Sequence, residues 1–253
     1  YRAVQVTVDR EVALKTVIPD EDAPGMSLLL SRFENEAKVI SQLKHPNNLR
    51  LYDVGRLSED EVYIVTELLT GDTLEDRIIS GELTVERGLR ITIEVSDALW
   101  EAHEKGIVHR DIKPENCFVT TADVVKILDF GIAKVVAAPG ATQSGAILGT
   151  PAYISPEQIN DYSGVTHKAD IYSLGMVAYE VFAHRTPFGL PDLMNLIRMQ
   201  LDEIPRSPRD FNPAIPEPLA RIILKTLEKK PGLRHESCEE LKKELIAVRP
   251  LLI

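Results

Sequence analysis

The hydrophobic period of the chain changes once, and that change limits what the chain can fold into. Before residue 71 apolar and polar side chains alternate: Val4, Val6 and Val8, then Val12 and Leu14, then stretches at 49–54 and 62–66. A period of two sends successive side chains to opposite faces, the mark of half-buried strands. Asp9-Arg10 reads as a turn between the first two runs. A single helical stripe, Phe33, Glu36, Ala37 and Ile40, interrupts the alternation. After Gly71 the spacing becomes helical, at 85–104, 170–183, 218–229 and 238–248. The pattern predicts an α+β chain: a small β-rich lobe with one helix, joined near 67–71 to a larger, mainly helical lobe.

Composition excludes several alternatives. With 253 residues, 44% hydrophobic and 27% charged, the chain is an ordinary globular one, long enough to bury a large core. Its 29 basic and 39 acidic residues leave a net charge of −10, which repels phosphate backbones and anionic lipid. Nucleic acid and membrane surfaces are therefore poor partners for this segment. The most apolar stretch, 171–183, is broken by Tyr172, Ser173, Tyr179 and Glu180 and is too short to span a bilayer. Cys117 and Cys238 have neither metal-ligand spacing nor a disulfide framework, as expected of a reducing, cytoplasmic compartment. The chain opens on Tyr1 without an initiator Met or signal pattern, so it reads as a piece of a longer protein. The prolines between 204 and 218 read as an inter-helix loop in preference to a docking ligand.

The chemistry concentrates in four segments. His109-Arg110-Asp111-Ile112-Lys113-Pro114-Glu115-Asn116 places a carboxylate between two cations, with Pro stiffening the backbone and Asn closing the loop. Asp129-Phe130-Gly131 follows a strand over 124–128. Val12-Ala13-Leu14-Lys15 is a strand on which Ala13 and Lys15 share a face. Gly149-Thr150-Pro151 runs into Ser155-Pro156-Glu157. Any one of these alone is weak, and the first can be only a satisfied polar turn. All four, in this order, are specific.

Together they resemble the eukaryotic-like (Hanks-type) protein kinase family, over essentially the whole chain. The stretches 10–15, 126–134 and 149–157 look most like the bacterial serine/threonine branch. The resemblance implies a bilobal kinase domain over 1–253, with a small lobe at 1–69 and a large lobe at 70–253. It also implies transfer of the γ-phosphate of ATP, with Mg²⁺ or Mn²⁺, to serine or threonine hydroxyls of proteins.

Phosphoryl transfer asks the protein to hold a polyanion, neutralise developing charge and align a hydroxyl. Lys15 supplies a cation to the α- and β-phosphates, and Glu36, on the inward stripe with Phe33 and Ile40, is the expected clamp on it. Asn116 and Asp129 are hard oxygen ligands for the metal. Asp111 accepts the hydroxyl proton, and Lys113 steadies the transferring group. Thr150 with Lys113 marks the serine/threonine class, and Thr150 can hydrogen-bond Asp111 and Lys113. Adenine is expected between Ala13 and Phe118, read by the backbone of Glu67 and Leu69, with Thr66 as the small residue guarding a rear pocket.

Other residues look structural. His109 and Phe130 should stack with Ile40 and Leu51 into a column between the lobes, followed by Gly131. Asp170 looks like the N-cap of an apolar helix, and the resemblance adds that it anchors the 109–111 loop. Glu157 and Arg234 should form a buried ion pair. Thr142 and Ser144, between Gly131 and Gly149, are phosphosite candidates whose phosphate would reach Arg110, which implies self-association for autophosphorylation. The other histidines form no metal-like constellation.

The pattern fails in two places. No GxGxxG phosphate-covering loop occurs, although the family places one just before residues 1–3. No GxxxxGK[ST] occurs either, which removes a P-loop reading. Asn48 stands where the family has an apolar residue. The resemblance also implies a cytoplasmic domain, compatible with a larger membrane-anchored protein; the rival reading is a pseudokinase acting as a scaffold or binding module.

Overall fold

The computed structural model describes residues 1–17, 37, 40–58, 61–130, 151–161, 164–189 and 191–252. Its first sheet contains β1 (Arg2–Gln5), β2 (Arg10–Val17), β3 (Leu51–Arg56) and β4 (Val62–Glu67), in the order β1-β2-β4-β3 with every pair antiparallel. The register sets Ala13 opposite Thr66 and Lys15 opposite Ile64. Alternation then puts all four along one stretch of the sheet, where they line a shared cleft. Ala37 and Ile40 are helical and buried, at the site of the expected helical stripe.

The strand expected through Val8 ends earlier. β1 stops at Gln5, which pairs with Arg10, and Val6–Val8 form a 3-10 turn closed by Asp9 at φ 47°. These residues make the hairpin tip beyond the sheet edge. Val6 and Val8 have no strand to pack against and are 88% and 62% exposed. Their alternation was a false signal because a short apolar run reports period, not pairing.

A second sheet of β5 (Gly71–Thr73), β6 (Cys117–Thr120) and β7 (Val125–Ile127) begins the larger lobe. Gly71 has φ 147°, and a Cβ there would meet the Val119 carbonyl, so this crossing of β5 over β6 requires glycine.

Beyond Ala37 and Ile40, the α-helices among the described residues are α1 (Leu74–Ile79), α2 (Val85–Glu104), α3 (Pro156–Asn160), α4 (Lys168–Ala183), α5 (Leu193–Asp202), α6 (Glu217–Thr226) and α7 (Cys238–Val248). Side-chain caps start most of them: Thr73 with Asp76 on α1, Thr84 on α2, Ser155 with Gln158 on α3, Asp192 on α5 and Ser237 on α7. Helix α4 is buried on every face, as its sequence, apolar all round, requires, and α2 and α6 pack on it. Tyr172, Tyr179 and Phe182 fill the core there. At Gly175 a Cβ would collide with the Thr226 hydroxyl, which lets α4 and α6 approach closely. Buried against the N-terminal end of α4 is the polar segment that carries the candidate chemistry.

Candidate active site

A cavity of about 530 Å³ lies between the lobes, lined by Ala13, Lys15, Thr66, Ile64, Asp129 and Phe130 among others. Strand β2 brings Ala13 and Lys15 into it from one side, and the residues after β7 bring Asp129 and Phe130 from the other. Lys15 Nζ lies 3.3 Å from Asp129 Oδ2 and 3.4 Å from Oδ1. Glu36, expected as its partner, lies outside the described residues, as do Gly131, Thr142, Ser144 and Thr150.

The 109–116 loop is held from below by one carboxylate. Asp170 Oδ2 accepts from the His109 amide and Oδ1 from the Arg110 amide, each at 2.8 Å. His103 Nε2 donates to Oδ2 at 2.8 Å. The expectation that Asp170 is an N-cap is corrected. His167 occupies the cap without a side-chain bond, and Asp170 sits three residues into α4. The first turn of a helix leaves its backbone amides unpaired, which favours a carboxylate there, but this one turns away to serve another loop. Burial by itself would raise the Asp170 pKa. The His103 hydrogen bond and charge, with the His109 ring and amide, outweigh it and hold the group below the ordinary carboxylate value.

His109 is fully buried, donates from Nε2 to the Leu128 carbonyl at 2.8 Å and accepts at Nδ1 from the Asp111 amide at 3.2 Å. Burial pushes its pKa down against the pull of Asp170, so the neutral ring with Nε2 protonated matches both bonds. Its ring packs on Phe130 with centroids 4.6 Å apart, and Ile40 and Leu51 line the cavity beside Phe130. Asn116 Nδ2 donates to the Asp111 carbonyl at 2.8 Å and to Oδ2 at 3.1 Å, while the Asn116 carbonyl accepts from the Leu128 amide at 2.8 Å. Asp111, Asn116 and the approach to Asp129 are thus one bonded unit. Lys113 Nζ stands 4.0 Å from Asp111 Oδ2 and 4.0 Å from Glu115 Oε1. Arg110 and Asp129 have φ of 64° and 48°, a left-handed backbone rare outside glycine.

At the inner end of the cavity Thr66 donates from Oγ1 to the Glu67 carbonyl at 3.3 Å. Leu69 is half-buried in the connector, and Phe118 is half-buried on β6, paired with Thr73 and Lys126. Below the loop, Arg234 meets Glu157 through two bonds of 2.7 and 2.9 Å. The arginine side chain is fully buried and the glutamate 19% exposed.

Several residues of this assembly escaped sequence reasoning. Gln158, buried, donates from Nε2 to the Arg110 carbonyl at 2.9 Å, and only its capping-box spacing from Ser155 marked it. His103 had no local signal. Asn48 proves to be a buried tether whose Nδ2 donates to the Ala98 carbonyl at 3.2 Å and to Glu101 Oε2 at 3.1 Å. Glu101 also accepts from the Lys44 and His45 amides at 2.9 and 2.8 Å, so α2 bolts residues 44–48 of the small lobe onto the large one.

Asp129 and Asn116 carry hard oxygen donors, the chemistry a Mg²⁺ ion takes. Among the described residues no cluster of His, Cys, Asp or Glu is large enough to bind an ion alone.

Comparison with known proteins agrees with this geometry. The sequence pattern of the protein kinase domain matches residues 1–246. The serine/threonine-protein kinase pkn3 of Myxococcus xanthus is 36% identical over 98% of this chain and 47% of its own length. PrkC of Bacillus subtilis is 35% identical over 97% of the chain and 37% of its own length. PknB of Mycobacterium tuberculosis is 34% identical over 98% and 40%. The chain thus spans less than half the length of these relatives. With the two-lobed fold, the anchored 109–116 loop and the lysine–aspartate cleft in place, the chain belongs to the protein kinase domain family.

Proposed function

We propose that this domain is a serine/threonine protein kinase that uses Mg-ATP, with residues 1–69 as the small lobe and 70–253 as the large lobe. The observation that carries the reading is the Lys15–Asp129 pair in the cleft, joined through the Leu128 amide and the Asn116 carbonyl to the Asn116–Asp111–Lys113 cluster. Three relatives named as serine/threonine-protein kinases support the acceptor class.

In this reading Lys15 binds the α- and β-phosphates, and Asp129 and Asn116 hold the metal, which neutralises phosphate charge. Ala13 and Phe118 enclose adenine, and the backbone of Glu67 and Leu69 reads its edge beside Thr66. Asp111 orients a serine or threonine hydroxyl and takes its proton as the oxygen attacks the γ-phosphorus. The bond from that phosphorus to the β–γ bridging oxygen breaks, ADP leaves, and Lys113 offsets the charge on the moving group. Glu36 is the clamp on Lys15. Thr142 or Ser144, phosphorylated by a second copy, orders its loop through Arg110, and Thr150 contacts the acceptor site.

Incubation with Mg-ATP and a generic protein substrate tests the reading by phosphate incorporation and mass. The expected result is incorporation that vanishes in Asp129→Asn and falls about 1000-fold or more in Asp111→Asn. No incorporation by the unmutated chain, with nucleotide still bound, would make it a pseudokinase scaffold.

A further inference from the structure

We propose that Lys126 and Glu67 form an interlobe clasp that sets the selectivity of the site for adenine over guanine. The proposal rests on the kinase reading above and names two positioning side chains for it.

Glu67 ends β4 at the start of the connector, and its Oε1 accepts two hydrogen bonds. One comes from Lys126 Nζ at 2.7 Å, the other from the Arg50 amide at 2.8 Å. The Glu67 amide returns a bond to the Arg50 carbonyl at 3.0 Å. Lys126 stands on β7 in the other sheet, so the pair crosses from one lobe to the other. The side chains are only 14% and 21% exposed, which sets this ion pair apart from solvent-screened ones such as Arg2–Glu11.

Lys126 is itself fixed. It lies opposite Phe118 in the sheet register. The next residue, Ile127, donates to the Asn47 carbonyl at 2.7 Å and accepts from the Leu49 amide at 3.0 Å. The clasp therefore ties the connector backbone to a strand already stitched to both lobes.

The chemical consequence follows from how a backbone reads a purine. Adenine offers an amine donor at C6 and an acceptor at N1, whereas guanine offers a carbonyl acceptor and an N–H donor there. A connector whose carbonyl and amide keep one orientation satisfies adenine and meets guanine with like groups. A connector free to tilt a peptide plane accommodates either. Discrimination of this kind comes from unpaired polar groups and scales with how rigidly they are held. With its side chain bonded in two directions and its amide bonded to the Arg50 carbonyl, Glu67 holds the start of the connector in one place.

Steady-state kinetics with ATP and GTP on the whole chain test this, alongside Lys126→Met, Lys126→Arg, Glu67→Gln and the double variant. For Lys126→Met the expected result is an ATP KM raised about tenfold, with kcat within about threefold. The ratio of kcat/KM for ATP to that for GTP should fall about tenfold. Lys126→Arg should restore most of the ratio, and the double variant should be no worse than Lys126→Met. Lys126→Gln, which retains a donor, serves if the Met variant does not fold, and should show a smaller fall in the same direction. An unchanged ATP-to-GTP ratio would overturn the clasp, leaving the pair a stability element only. A raised kcat with unchanged selectivity would overturn it too, by making the pair a restraint on lobe motion. Calorimetry with ADP separates these failures from failure of the kinase reading: an unmutated chain that binds no nucleotide overturns that reading, and the clasp with it.

Discussion

The two walls of the cleft are built differently. On the large-lobe side Asp170 is fully buried and takes three donors, and Asn116 and Gln158 fasten the loop again at Asp111 and Arg110. Across the cleft, Lys15 of the small lobe and Asp129 of the large lobe are 56% and 48% exposed and face each other across 3.3 Å. The first arrangement is rigid because every buried polar group in it would be costly to leave unpaired. The second is an ion pair in near-solvent, worth little on its own. Folding alone thus fixes the 109–116 loop. The Lys15 and Asp129 charges stay accessible and can be separated at small cost.

That contrast can be broken most forcefully at Asp170. Asp170→Ala strips acceptors from two buried amides and from His103, and should cost about 3–5 kcal/mol of stability and about 1000-fold in kcat. Thermal unfolding and phosphate incorporation, measured together, check it. Lys15→Met should give the opposite pairing: a loss of about 100-fold in kcat/KM with Tm essentially unchanged. A fall in Tm matching that of Asp170→Ala would end the distinction between the walls.

A smaller effect is expected at the inner end of the cavity. Thr66 is a small side chain there, and Thr66→Met should weaken inhibitors that reach behind adenine about tenfold. Titration of one such inhibitor against both forms decides the point, since equal affinity would mean that no rear pocket opens past residue 66.

The smallest effect is a pH slope. The Glu101 carboxyl is brought down to about 2: burial works against ionisation, but Lys105, the Lys44 and His45 amides and Asn48 outweigh it. A pKa lower in the folded than in the unfolded chain means stabilisation fully present above about pH 4.5 and lost as pH falls toward 2. In Tm measured from pH 6 to pH 2.5, Glu101→Gln should be the less stable form at the upper end. The gap should close as the pH drops. A constant gap would show that the charge on Glu101 does not hold the 44–48 segment.

Legibility in the sequence followed the range of the interaction. The bounds of α2 and α7 coincide with the helical stripes at 85–104 and 238–248, because each has a clear period and a hydroxyl cap just ahead of it. The 109–116 loop and the aspartate at 129 were legible for another reason: they stand at fixed offsets within the protein kinase pattern that matches residues 1–246. The Val6–Val8 tip misled because alternation without a partner strand is not a sheet. His103, Gln158 and Glu101 were invisible. Each acts on a segment distant in sequence, and histidine, glutamine and glutamate on helices have many uses.

The sequence by itself therefore determined which groups are offered: two lobes by the change of period, the cleft's charged residues by local spacing, and a family by their order. Only the tertiary structure decided which of those groups meet. Asp170 abandons its own helix for a loop about sixty residues away, Asn48 takes a carboxylate partner on α2, and Lys126 crosses to Glu67. The physical reason is that a buried polar group must find a partner wherever packing brings one, and packing is a property of the whole chain.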